Sequence, residues 1–312
     1  MKVAIPETFR RELEERLPSD VRAAWYATTT DVAKAAHDAD VLVMAFIDPG
    51  EIRLAVEAAT KVRWVSTHAA GVDNYPLEYL REHRVMLTKG AGVSAIPIAE
   101  SVVLCMLSAA KSFPYFIESS LRHEWPSRRP PAAELFGSKA LIVGYGSIGH
   151  AVGERLDSFG VDVTGVRRRA AGEAGVIGPE EWRSQIGAFD WIVLTAALTA
   201  QTRHLIGAEE LSHMKSSAWI VNVARGGLID QEALAASLRR GRPRGAYLDV
   251  TYPEPLPAGH PLWSLPNVFI SGHSAGRSGR ALQRYSDLFL DNLRRFLKQE
   301  PLANLVDLSA GY

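Results

Sequence analysis

Short apolar runs recur along this chain at residues 2–5, 41–46, 64–67, 85–88, 140–143, 162–166, 191–195, 219–223, 245–250 and 268–270. Their apolar positions are consecutive rather than alternate, which suits strands covered on both faces. The stretches between them suit crossover helices. The pattern predicts an α/β fold built on parallel sheets. No fixed-period repeat and no low-complexity tract interrupts it.

A boundary shows near Pro97. From 98 to 111, Ala99, Val102, Val103, Met106, Leu107 and Ala110 recur at the i, i+3, i+4, i+7 spacing of a packed helix. The loop at 124–131 (Glu-Trp-Pro-Ser-Arg-Arg-Pro-Pro) is too proline-rich for regular structure. A fresh strand–turn–helix unit starts at Ala140, so the pattern reads as one α/β lobe, a connecting helix and a second α/β lobe. Leu282, Tyr285, Leu288, Phe289, Asn292, Leu293 and Phe296 mark a last helix. It is long enough to return to the first lobe, a point that periodicity leaves open.

Composition narrows the function classes. Of the 312 residues, 47% are hydrophobic and 22% charged, which excludes disorder as the main state. Lys plus Arg and Asp plus Glu both number 35, so no global positive field draws in nucleic acid or an anionic membrane. The single cysteine, Cys105, excludes an intramolecular disulfide framework and a multi-thiolate zinc site. It fits a reducing, cytoplasmic setting and, within its helical pattern, reads as a core residue. The first residues are a short strand-like run broken at Pro6 and followed by charge, unlike a secretory leader. No run reaches the length of a membrane span. The expectation is a soluble protein.

Candidate chemistry begins at Leu141-Ile-Val-Gly144-Tyr-Gly146-Ser-Ile-Gly149-His, a match to G-x-G-x-x-G. The match alone is weak, but a strand precedes it and an amphipathic helix (Ile148, Val152, Leu156) follows. A second strand at 162–166 completes a unit of the dinucleotide-binding kind. Gly144 permits the tight turn, Gly146 lets backbone amides approach a pyrophosphate, and Gly149 allows helix and strand to pack closely. An NAD-binding unit usually carries Asp or Glu at the end of its second strand. This chain has Arg167, Arg168 and Arg169 there, with no carboxylate in the next few positions. Arginine's planar donor fork suits a 2′-phosphate. NADP(H) is therefore the expected cofactor, with NAD(H) the second option and a solvated basic loop the bland rival.

With these residues in view, the sequence resembles the D-isomer-specific 2-hydroxyacid dehydrogenases, on their glyoxylate/hydroxypyruvate reductase side. The resemblance covers nearly the whole chain. It rests on Ser66-Thr-His-Ala-Ala-Gly-Val-Asp73, Gly90-Ala-Gly-Val-Ser-Ala-Ile-Pro-Ile-Ala-Glu100 and the glycine turn. It rests also on Val221-Asn-Val-Ala-Arg-Gly-Gly-Leu-Ile-Asp230, Tyr247-Leu-Asp-Val250, Pro253-Glu-Pro255 and Gly272-His-Ser-Ala-Gly276. It implies two doubly wound parallel-sheet domains. A Rossmann dinucleotide-binding domain at 97–277 would be inserted into a flavodoxin-like substrate domain formed by 1–96 and 278–312.

The same resemblance implies that Arg225, Glu254 and His273 do the chemistry, and physical reasoning reaches the same set. Reducing a 2-keto acid leaves an alkoxide that must receive a proton, for which histidine is the natural acid near neutral pH. A carboxylate on its other nitrogen, Glu254, would fix the tautomer. A fixed cation, Arg225, would hold the substrate carboxylate and polarise the carbonyl. Ala70, Gly71 and Val72 match the loop whose amides bind the substrate carboxylate in relatives. Gly144, Gly146, Ser147, Ile148 and Gly149, with Arg167, Arg168, Arg169, Asn222, Ala224, Asp249 and His273, match cofactor contacts. Segment 195–202 matches a cofactor loop, although relatives usually show a proline where this chain has Ala196 or Ala197. His68, beside the substrate loop, is a weaker candidate for direct contact. The family implication for assembly is a homodimer.

The leading expectation is an NADPH-dependent reductase of small 2-keto acids giving D-2-hydroxy acids. The rival enzyme is an NAD-dependent phosphoglycerate-type dehydrogenase. A rival of another class is a dinucleotide-sensing interaction protein, which shares the fold and keeps the catalytic residues.

Overall fold

A strand that is apolar at every position needs cover on both faces, and two parallel sheets obtain it here. The computed structural model describes every residue except Phe46, Ile47, Arg128, Arg169, Ala170 and Ala171. Arg169, expected at the cofactor, therefore lies outside the described residues, as does the end of the run expected at 41–46. The chain divides into two compact units, Met1–Ser94 with Ser278–Tyr312, and Ala95–Arg277. No single helix among the described residues is long and apolar enough to cross a membrane.

The first unit holds β1 (Lys2–Pro6), β2 (Arg22–Tyr26), β3 (Val41–Met44), β4 (Trp64–Thr67) and β5 (Met86–Thr88). They form one parallel sheet in the order β2-β1-β3-β4-β5. Successive residues part to opposite faces, as the strand period requires. Ala4, Leu42, Met44, Val65 and Leu87 enter one core, while Val3, Ile5, Val41, Val43 and Trp64 enter the other. The sequence pattern did not announce β2. It is an edge strand whose only fully buried residue is Tyr26, so it carries little apolar signal.

The final helix, Ala281–Leu297, belongs to this unit and covers the second face. Tyr285, Phe289 and Leu293 recur every four residues and make its buried stripe. Trp64 stacks on Phe289 with centroids 5.4 Å apart, and its indole N–H donates to Thr88 Oγ1 at 2.8 Å. Asn292 sits polar within the stripe because it is satisfied there. Its Nδ2 donates to the Ala303 carbonyl at 3.0 Å, and its Oδ1 accepts the Ala303 amide at 2.7 Å.

The second unit holds β6 (Lys139–Val143), β7 (Asp162–Val166), β8 (Val176–Ile177), β9 (Trp191–Leu194), β10 (Trp219–Asn222), β11 (Gly245–Leu248) and β12 (Val268–Ile270). Their order is β12-β11-β10-β9-β6-β7-β8, parallel throughout. Again the faces alternate: Leu141, Val143, Ile192 and Leu194 serve one core, and Ala140, Ile142, Trp191 and Val193 the other. The two-residue edge strand β8 was too short to read from sequence. The helix expected from 98 runs Ala95–Ala110. Pro97 fits its first turn because amides there have no intrahelical acceptor. Cys105 is buried on this helix, and burial pushes its thiol up to about 12, as suits a core residue.

Phe289→Ala should cost about 3–5 kcal/mol of stability, whereas Leu297→Ala, at the exposed helix end, should cost well under about 1 kcal/mol. Guanidinium unfolding of both variants checks this. Equal, small losses would mean that the last helix is not part of the first unit's core.

Candidate active site

Because its strands are parallel, the second sheet sends all their carboxyl ends to one side. Strand order turns around β6, with β7 and β8 to one side and β9 onward to the other. In open α/β sheets such a switch point leaves a crevice where ligands bind.

The glycine turn follows β6. Gly144 has φ +105°, and a Cβ there would lie 2.3 Å from the Ala196 amide nitrogen, so the turn abuts the segment after β9. Thr195 Oγ1 donates to the Gly144 carbonyl at 2.7 Å, and the Gly144 and Tyr145 amides both donate to the Val166 carbonyl. A Cβ on Gly149 would sit 2.7 Å from the Gly144 carbonyl oxygen. Gly146 differs: a Cβ there would meet nothing within 4 Å. It caps the 12-residue helix Ser147–Ser158 with no side-chain bond, beside an exposed Ser147. The space beside Gly146 at the amino end of that helix is thus free, and no side chain caps it, while Ile148 packs inward. This fits the pyrophosphate of a dinucleotide.

At the end of β7, Arg167 and Arg168 are exposed. The sequence offered no carboxylate in the next few positions, yet the structure supplies one. The backbone returns through a turn closed by the Val176 amide on the Glu173 carbonyl, and β8 pairs beside β7. Glu173 Oε2 thereby lies 3.6 Å from Arg167 Nη1.

The strands on the other side carry the rest. Asn222, fully buried, spends its amide on its own turn: Nδ2 donates to the Arg225 carbonyl at 2.9 Å and Oδ1 accepts from Ala224 N at 3.1 Å. Arg225 follows in extended conformation, with Nη1 donating to the Ala224 carbonyl at 2.8 Å. A Cβ on Gly226 would lie 2.0 Å from the Thr251 carbonyl carbon, so this turn rests directly on the loop after β11. The Thr251 amide donates to Glu254 Oε1 at 3.1 Å, and Glu254 Oε2 meets His273 Nδ1 at 2.8 Å.

His273 has φ +56°, a left-handed conformation that a β-carbon disfavours. Asp249, at the end of β11 and 2% exposed, holds the segment in place. Its backbone carbonyl accepts the His273 amide. Its Oδ1 accepts the amides of Ser274 at 2.8 Å and Ala275 at 3.0 Å, together with the Ser271 hydroxyl. Two members of this support, Thr251 and Gln231, were not visible in the sequence, nor was Glu173 beside Arg167. The Gln231 side chain clamps the loop that carries Glu254. Its Oε1 accepts the Tyr252 amide at 2.9 Å while its Nε2 donates to the Tyr252 carbonyl. No local motif signals such a clamp, because it joins residues 21 apart.

Electrostatics follow from this geometry. The hydrogen bond that His273 Nδ1 donates to Glu254 raises His273 above the ordinary 6.5, against burial and the charge of Arg225, with the charges of Glu254 and Asp249 adding to the rise. Burial works against an ionised Glu254, yet the bond and charge of His273, the Thr251 amide and the charge of Arg225 bring it below the ordinary 4.5. A histidine so held can give and take a proton through its other nitrogen. The contact of Gly226 with Thr251, and of the Thr251 amide with Glu254, sets the turn of Arg225 beside this pair, and the charge of Arg225 acts on both partners.

Ala70, Gly71 and Val72 lie in the first unit, after β4. The Gly90 amide donates to the Ala69 carbonyl at 2.8 Å, and a Cβ on Gly90 would lie 2.0 Å from the His68 carbonyl oxygen. The motif segments at 66–73 and 90–100 therefore touch. Val72 is buried, while Ala70 and Gly71 are half-buried. His68 stands edge-on to Tyr285 with centroids 6.3 Å apart, and burial lowers its pKa. Segment 195–202 closes on itself through Thr202 Oγ1, which donates to the Ala197 carbonyl at 2.7 Å.

Residues 103–275 match a family model described as D-isomer specific 2-hydroxyacid dehydrogenase, NAD binding domain. A glyoxylate reductase of Korarchaeum cryptofilum is 30% identical over 97% of this chain and 93% of its own length. A D-3-phosphoglycerate dehydrogenase of Methanocaldococcus jannaschii is 32% identical over 93% of this chain, which spans only 56% of that relative. Among solved structures, a D-isomer specific 2-hydroxyacid dehydrogenase family protein from Aeromonas salmonicida aligns with TM-score 0.86 at 28% identity, over 98% of each chain.

The pair sets two limits on its own stabilisation. The His273 contribution is complete below the ordinary imidazole value and is lost as pH rises through its raised value. The Glu254 contribution is complete above the ordinary carboxylate value and is lost as pH falls through its lowered value. Titrating the His273 imidazole by NMR should give a midpoint above 6.5. Glu254→Gln should move it to lower pH, because burial and Arg225 then act unopposed by the carboxylate. An unmoved midpoint would dissociate the two residues.

Proposed function

The chain belongs to the D-isomer-specific 2-hydroxyacid dehydrogenase family, and on that premise we propose that it reduces small 2-keto acids of the glyoxylate and hydroxypyruvate type to D-2-hydroxy acids, with NADPH as preferred cofactor. It is an NAD(P)-dependent oxidoreductase. The observation that carries the proton-transfer part of this reading is the 2.8 Å contact between His273 Nδ1 and Glu254, with the charge of Arg225 felt by both.

The open amino end of helix Ser147–Ser158 supports a dinucleotide bound through its pyrophosphate. Gly144, Gly146, Ser147, Ile148 and Gly149 would form that cradle, and Arg167 and Arg168 would meet the 2′-phosphate. Arg169 carries the same proposal from sequence alone. On the nicotinamide side, Asn222 and Ala224 shape the turn after β10. Asp249, whose Oδ1 is engaged by its own loop, would offer Oδ2 to the carboxamide. A bound nicotinamide supplies the hydride for the carbonyl carbon. Arg225 would bind the substrate carboxylate and polarise the carbonyl. His273 then gives its Nε2 proton to the developing alkoxide, while Glu254 holds Nδ1 and stabilises the charged ring. His273 would thus also contact the cofactor.

The 32% identical relative named for phosphoglycerate favours a second reading, an NAD-dependent phosphoglycerate-type dehydrogenase. A third, the dinucleotide sensor, is separated by turnover. For assembly we propose a homodimer paired through the second unit. Leu104, Phe113, Ile117 and Leu121 expose apolar surface on helices Ala95–Ala110 and Phe113–Leu121, which supports it.

Loss of nicotinamide absorbance should be fast with NADPH and either glyoxylate or hydroxypyruvate, and slower with pyruvate, phenylpyruvate or 2-ketopantoate. Phosphoglycerate oxidation with NAD as the only activity would establish the second reading instead. His273→Ala should lower kcat by about 10²–10⁴-fold with dinucleotide affinity nearly intact. Retained turnover would remove His273 from the acid role.

A further inference from the structure

The arginine expected to read the cofactor phosphate already has an anionic partner. Glu173 Oε2 lies 3.6 Å from Arg167 Nη1, and Glu173 Oε1 lies 3.7 Å from His150 Nε2. The glutamate therefore bridges a group at the end of β7 and a group on the helix that follows the glycine turn.

Its placement is built into the backbone. The Arg167 amide donates to the Ile177 carbonyl at 3.1 Å, the Gly165 amide to the Gly175 carbonyl at 2.8 Å, and the Val176 amide to the Glu173 carbonyl at 3.1 Å. These bonds lay the segment from 173 to 177 beside β7. Tyr145 supplies a fixed floor. Its ring meets that of His150 at a tilt of 46°, with centroids 4.2 Å apart, and a Cβ on Gly165 would fall 2.5 Å from the Tyr145 ring. The Tyr145 hydroxyl is raised in pKa by burial first and then by the charge of Glu173.

We propose that Glu173 is a specificity-determining residue that competes with the cofactor's 2′-phosphate for Arg167 and so sets the ratio of NADPH to NADH use. The proposal rests on the reading that Arg167 faces the adenosine ribose. A phosphate monoester carries between one and two negative charges near neutral pH, so NADPH must displace Glu173 from Arg167 against like-charge repulsion. NADH brings a 2′-hydroxyl instead, and a carboxylate can accept its proton in a hydrogen bond, as the acidic residue of an ordinary NAD site does. Here that carboxylate arrives from six residues beyond the arginine rather than at the strand end. The same glutamate disfavours one cofactor and accommodates the other.

The test is calorimetric titration of the full chain with NADPH and with NADH, in the absence of keto acid. It compares wild type, Glu173→Gln, Arg167→Gln, the double variant, and Glu180→Gln as an exposed control with the same charge change. Glu173→Gln should tighten NADPH about fivefold, the upper range for an exposed ion pair, and should not tighten NADH. Its effect on NADPH should vanish in the Arg167→Gln background. Equal tightening of both dinucleotides, or a change matched by Glu180→Gln, would show a general charge effect and overturn the proposal. If Arg167→Gln weakens NADPH while Glu173→Gln changes nothing, Arg167 stands as phosphate reader and the proposal alone falls. If Arg167→Gln leaves NADPH binding unchanged, the reading of Arg167 fails and the proposal falls with it.

Discussion

Parallel strands all end on the same side of their sheet, and the arrangement of the second unit depends on that constraint. Six neighbouring strand ends supply the glycine turn, Arg167, Thr195, the turn from Asn222 to Arg225, Asp249 and the His273 segment. Burial on both faces makes the constraint rigid, since neither core can shift without disturbing the other. The loops are then tied to one another directly. Gly144 abuts Ala196, Gly226 abuts Thr251, and Asp249 gathers the residues on both sides of His273. A side chain at any of these contacts would push two loops apart.

Within that frame the acid–base pair is held by opposed effects. His273 adopts a backbone conformation that costs on the order of 1–2 kcal/mol for a residue with a β-carbon. The cluster of bonds on Asp249 offsets it. Glu254 is fixed at both carboxylate oxygens, one by the Thr251 amide and the other by His273, so it is directed at the imidazole rather than left to solvent. Arg225 opposes the charge on His273 and favours the charge on Glu254. A cation there costs the imidazolium something in the free protein. A substrate carboxylate on Arg225 would relieve that cost.

Much of this was legible in the sequence because burial on both faces leaves a plain trace. Every strand that is covered twice announced itself as an apolar run, and so did the edge strands β5 and β12, whereas the other two edges, β2 with one buried residue and the two-residue β8, did not. The glycine turn and the residues Arg225, Glu254 and His273 were legible through motif order, since each motif sits at a strand end. Glu173 was not, because its role depends on the path of a loop that returns beside β7 through backbone bonds no local pattern encodes. Gln231 was hidden for the same reason. Its side-chain amide looks like an ordinary first-turn helix residue until the loop at Tyr252 folds onto it. Asn292 was correctly placed on a helix face although polar, and its partner Ala303 explains why the face tolerates it.

The proposed mechanism stands on a protonated His273 held by Glu254, and the pH dependence of keto-acid reduction tests it most directly. With His273 as the acid, reduction would consume the imidazolium proton, so the rate should fall as pH rises through the raised His273 value. In Glu254→Gln that falling limb should move to lower pH, since the bond that raises the imidazole is gone. A limb at the same pH in both proteins would contradict the assignment of His273 as the acid and Glu254 as its partner.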